Sequence, residues 1–218
     1  MLTKLTLILL LVAVVPSVGH SPDEARQNYE MGIAFPLRQA GIDPLDSTSL
    51  IRAITANHPL SILAVSALGY LPPTNAAVSL LKSTLSSGND LKVTLAAGAL
   101  NRLRVHDWTS LARARVYSAQ LPEDGGVLAA RMAEAGDYSA WPYFLGILSD
   151  SKTTAGVFDV LARWIDEFDQ MPGTRGARLA LAHDLHEILP RLPKERQDRI
   201  WKEISRVQSS AAAVKRAP

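Results

Sequence analysis

Apolar residues recur along this chain at helical spacing. Ala64, Ala67, Leu68 and Leu71 fall at i, i+3, i+4 and i+7, and Phe158, Leu161, Ile165 and Phe168 repeat at i, i+3, i+7 and i+10, the periods of one helix face. Valine and isoleucine never settle into the strict alternation of a half-buried strand. Breaks come regularly: Asp43-Pro44, Asn57-His58-Pro59, Pro72-Pro73, Ser87-Gly88-Asn89-Asp90, Pro122 to Gly126, Gly136-Asp137, Pro172-Gly173 and Pro190 to Pro193. They leave segments of roughly 10–16 residues, the ordinary length of globular helices. Start signals sit beside them. Ser21-Pro22-Asp23-Glu24 reads as a capping box with proline at the first helical position, and Asp46-Ser47 and Thr74-Asn75 offer side-chain oxygens to the amides that follow. Near the end, Ile200, Trp201, Ile204 and Val207 make an apolar stripe on a helix otherwise covered by charge.

The first residues follow a different pattern. Lys4 precedes an apolar run from Leu5 to Val15 in which only Thr6 is polar, too short for a bilayer that needs about 20 apolar residues. Pro16 ends the run, and Ser17-Val18-Gly19 places small residues where a signal peptidase reads them, so 1–19 is predicted to be a cleaved export signal. The expected location is periplasmic or secreted, with an uncleaved anchor facing outside the cytoplasm as the alternative. Membrane contact is then confined to this segment.

Within the remaining chain, Ala64 to Leu71 matches Ala96 to Leu103 at an offset of 32 residues, alanine on alanine and leucine on leucine. Asn75 to Leu81 is echoed by Tyr138 to Phe144 at 63 residues, close to two such periods. A helical pair of this length cannot bury both faces alone and must stack on the next pair. The period, the two-helix unit and the Ala67-Leu68-Gly69 ending, with Asn57-His58-Pro59-Leu60 before it and Gly136-Asp137 leading to Ala140-Trp141-Pro142-Tyr143-Phe144-Leu145, resemble HEAT-type repeats of the short bacterial kind. The resemblance implies an all-α fold, a short right-handed α-α superhelix with capping helices at both ends. The expected organisation is a signal at 1–19, an N-terminal capping helix and loop at 20–45, HEAT-like repeats at 46–169, a C-terminal helical hairpin cap at 170–208 and a disordered tail at 209–218.

Composition narrows the function classes. The 218 residues are 47% apolar and 20% charged, with 23 basic against 21 acidic side chains and no cysteine. Disulfide scaffolds, thiolate metal sites and catalytic thiols are therefore excluded, and near-neutral charge argues against a nucleic-acid groove. No nucleophile elbow, phosphate loop or dinucleotide fingerprint occurs, so the chain reads as non-enzymatic and without a cofactor. Three groups remain as candidates. Arg102, Arg104, His106, Arg113 and Arg115 form the densest run of one sign, suited to carboxylates or phosphates. Trp164 falls beside an apolar stripe and is a candidate aromatic anchor. His183, His186 and Glu187 share helical spacing as weak metal donors, but a zinc helix would need a further histidine where Pro190 stands. The leading expectation is a monomeric interaction module or scaffold for a protein or peptide. The alternative is a HEAT-like enzyme or ligand carrier of the lyase type.

Overall fold

The computed structural model describes residues 22–105, 107–170 and 175–213. The predicted signal segment, Ser21 of the capping box, His106 and the last five residues lie outside that range. Among the described residues the protein is all-helical, with no strand. It divides into two compact units, Met1–Ala140 and Trp141–Pro218, so the boundary falls inside the 46–169 stretch that the repeat pattern marks out.

The first unit opens with α1 (Pro22–Tyr29), a π-helical turn at Glu30–Ala34 and α2 (Phe35–Gln39). The amide of Phe35 donates to the carbonyl of Glu30, five residues back. Pro36 explains the wide turn: it has no N–H, and in a regular helix its ring would strike the carbonyl of Gly32. Then come three helical pairs, α3 (Ser47–Thr55) with α4 (Ser61–Leu68), α5 (Asn75–Ser87) with α6 (Asp90–Arg102), and α7 (Thr109–Ser118) with α8 (Pro122–Glu134). Within each pair the helices pack on one another, and the second helices also meet directly, α4 on α6 and α6 on α8. Alanine permits that approach. Ala64, Ala67, Ala96, Ala99, Ala129 and Ala133 are all buried, with Leu68, Leu100 and Met132 closing the layer behind them.

Local chemistry sets the ends. Asp46 accepts from the amides of Thr48 and Ser49, Thr74 from Ala77 and Asn89 from Lys92, each satisfying amides that a helix start leaves free. Four helices of this unit close alike, with a left-handed residue just past the end: Gly41, Asn57, Arg104 and Gly136. At α6 the amide of Val105 donates to Leu100 at 3.0 Å and that of Arg104 to Asn101 at 2.9 Å, and Asp137 and Gly136 repeat the pattern at α8.

The second unit contains α9 (Trp141–Ser149), α10 (Ala155–Gln170), α11 (Arg175–Ile188) and α12 (Lys194–Ala213). Helices α11 and α12 pack closely, and α10 lies against α12. Phe158, Leu161 and Ile165 are buried, as the spacing predicts, and Ile200, Ile204 and Val207 likewise. Trp201 corrects the terminal stripe. It is 52% exposed and turns toward the ring of His186, because position 201 falls one step off the 200, 204, 207 face.

Candidate functional site

The arginine run does not form one patch. Arg115 donates to Asp90 at 2.9 Å and to the carbonyl of Gly88 at 2.8 Å, beside a cleft of about 520 Å³ bounded by Ile62, Leu91 and Leu121. Asp90 starts α6 and Arg102 ends it, so these two arginines act at opposite ends of a helix about 18 Å long. Arg113 is held by Asp137 at 3.0 Å. Asp107, which interrupts the run, is held by Lys82 at 2.8 Å. Arg102 and Arg104 remain. Both stand at the C-terminal end of α6, where cations complement the helix dipole.

Arg102 turns inward onto a polar ladder that crosses the second helices. Its guanidinium lies 4.5 Å above the ring of Tyr70, and Tyr70 meets Tyr29 of α1 with ring centroids 4.5 Å apart. Nη2 donates to the carbonyl and hydroxyl of Ser66, each at 3.3 Å. Gly69 makes the approach possible, since a Cβ there would lie 2.7 Å from the Cα of Ala99 and 2.8 Å from Nε of Arg102. The next rung is Arg131, whose Nη1 donates to both oxygens of Glu134 at 2.8 Å, with both side chains more than nine-tenths buried. Gly98 gives that guanidinium its seat, as a Cβ would come within 3.2 Å of it. Asn101 ties the rungs together. Its amide donates to the Arg131 carbonyl and to Glu134, and its oxygen accepts from the buried indole of Trp108 at 3.1 Å.

Charge within the ladder is unevenly compensated. Arg131 has a bidentate carboxylate; Arg102 has none among the described residues, and its Nε and the Tyr70 hydroxyl are buried without a hydrogen-bond partner. Burial draws the Arg102 pKa down, and repulsion from Arg131 adds to that, while the Tyr70 and Glu134 charges oppose it. Burial likewise pushes the Tyr70 and Tyr29 phenols up. A guanidinium stays protonated in such a setting, so Arg102 is a standing positive charge pinned by an aromatic face.

The ladder follows the repeat. Tyr70, Arg102 and Glu134 are spaced 32 residues apart, so ring, cation and anion share one register of the period, Arg102 and Glu134 as the last residues of α6 and α8 and Tyr70 two residues past the end of α4. Carrying the 64-to-96 match one period further along the sequence reaches Glu134. Tyr29, Tyr70, Asn101, Trp108, Arg131 and Glu134 were all missed: the Arg131–Glu134 pair has the i,i+3 spacing of one helix face and could have been found, whereas Tyr29 and Trp108 join the ladder through residues on other elements.

The other candidates stand apart. Nothing is described for His106 or for the side chain of Trp164. His183, His186 and Glu187 are exposed on α11, and no three metal-donor side chains group together among the described residues. Comparison with protein-family models, with curated proteins and with solved structures finds no match to this chain. Among the described residues no helix is long and apolar enough to cross a membrane.

Proposed function

We propose that this chain is an exported, non-catalytic interaction module in which the helical pairs of the first unit form a short HEAT-like solenoid that holds a protein or peptide. One observation carries the reading: α4 lies directly on α6 and α6 on α8, so the second helices of successive pairs stack in the order of the repeat. Stacked helical pairs with that contact order offer a ridge of aligned side chains to an extended ligand. The export signal predicted at 1–19 supports a setting outside the cytoplasm, and packing with helix capping must then supply the stability that disulfides give other exported chains.

A photocrosslinking residue introduced into the full chain at position 104, at the end of α6, tests this, with position 52 on α3 as control. The reading expects a discrete adduct from 104 that is absent from 52, and processed protein beginning after Gly19 by intact mass. The same diffuse adducts from both positions, or none, would overturn the module, and unprocessed protein in the membrane fraction would replace export with anchoring.

A further inference from the structure

Two arginines at the end of α6 have no acid to answer them among the described residues. Each carboxylate near that end is already engaged: Glu134 by Arg131, Asp137 by Arg113 and Asp107 by Lys82. Arg102 is fixed in place by Tyr70 and Ser66, yet Nη1 makes no hydrogen bond and Nε is buried without one. A part-buried guanidinium without a counter-ion among the described residues is unfavourable, and an apolar side chain of similar volume would avoid the penalty.

Arg104 makes a second, independent case. It is exposed, its side chain forms no hydrogen bond or ion pair among the described residues, and it occupies a left-handed conformation with φ at 56°. Glycine takes that conformation without strain, and Gly136, 32 residues on, does so at the same cap of the next helical pair. Arginine there is strained, and the small gain an exposed cation takes from the helix dipole is less than the strain that glycine would relieve. Strain held at a residue whose side chain has no hydrogen bond or ion pair among the described residues points to a role in binding.

We infer that the C-terminal end of α6 is a carboxylate-recognition subsite for an acidic peptide. Arg102 supplies a guanidinium already oriented and partly desolvated, so little side-chain freedom remains to be lost on binding. Arg104 supplies an exposed charge two residues away that engages a neighbouring carboxylate. The inference rests on the interaction-module reading and names its ligand class.

The test measures binding of two fluorescent peptides to the whole protein at low and moderate salt: a glutamate-rich peptide with a blocked C-terminus, and a glycine-serine peptide with a free one. Wild type is expected to bind the first if side-chain carboxylates are read and the second if a chain terminus is read. Arg102→Gln should weaken the bound peptide about tenfold or more and Arg104→Gly about threefold, while Arg52→Gln, at an exposed arginine of α3, leaves binding unchanged. Arg104→Gly should also unfold at higher denaturant than wild type, so that a more stable protein binds less well. That opposed pair of readouts holds even if Arg102→Gln folds poorly. Absence of binding to both peptides, or Arg104→Gly and Arg52→Gln weakening binding equally, would overturn the subsite. Crosslinking from position 104 to a partner without acidic segments would overturn it too and leave the module standing.

Discussion

Gly69→Ala tests the helix approach on which the ladder depends. Gly69 caps α4 with φ at −69° and ψ at −10°, a conformation alanine adopts freely, so propensity alone predicts a gain of up to about 1 kcal/mol. Space predicts the reverse. The new methyl would stand 2.7 Å from the Cα of Ala99 and 3.0 Å from its Cβ, where relaxed carbon contacts are about 3.5–4.0 Å. The obstructing atom is backbone and cannot rotate away, so α4 and α6 must part by roughly 1 Å, loosening the alanine layer between them. Overpacking of this kind costs about 1–3 kcal/mol, and at its upper end it exceeds the propensity gain by about 2 kcal/mol. In urea that is a midpoint lowered by about 1 M, read by circular dichroism. Gly146, inside α9 with nothing within 4 Å of its would-be Cβ, is the matched control: Gly146→Ala should gain about 0.5–1 kcal/mol. If Gly69→Ala is more stable than wild type, gaining as much as Gly146→Ala does, the close approach of α4 and α6 is not what this glycine is for.

Glu134→Gln strands a guanidinium that is more than nine-tenths buried, and a loss of about 3 kcal/mol is expected by chemical denaturation, more than for any exposed acid of the first unit. Asp137 is partly buried, which disfavours its charge, but hydrogen bonds from the side chain and amide of Ser139, from Arg113 and from Thr109 outweigh that and hold its carboxyl well below the usual range. The stability it contributes is therefore present above the ordinary carboxylate pKa of about 4 and is lost as pH falls toward the lower folded value, so acid titration of Asp137→Asn should show a flatter decline below about pH 4 than wild type. Asp46→Ala removes the acceptor for two amides at the start of α3 and should lower the denaturation midpoint by the equivalent of about 1 kcal/mol, with Asp46→Asn restoring most of it.

Helix placement was legible because it is local. Asp46, Thr74 and the breaks around residues 43–44, 57–59, 72–73 and 87–90 sit within a few residues of the ends of α3 to α6, whereas Pro122 to Gly126, read as a break, forms the first turn of α8 with proline at its start, and no break named from sequence separates α6 from α7. The π turn was not, since Pro36 can end a helix, kink it or widen it, and packing of the neighbouring elements selects the last. The arginine run was legible in sign but not in geometry. Arg102, Arg113 and Arg115 find partners 24 to 36 residues away, which no spacing rule for one helix reaches. Trp201 was assigned to the core from a four-residue stripe, yet a helix advances 100° per residue, and its neighbour Ile200 already filled that direction.

The order ring, cation, anion along Tyr70, Arg102 and Glu134 has an evolutionary consequence. Arrays of helical pairs usually lengthen by duplication, since every pair accepts a copy of itself as neighbour. Here the rungs differ, and a copied α5–α6 pair would set one arginine against another where a tyrosine face now receives it. Growth from the middle is closed by charge, and the array can gain or lose members only at its margins.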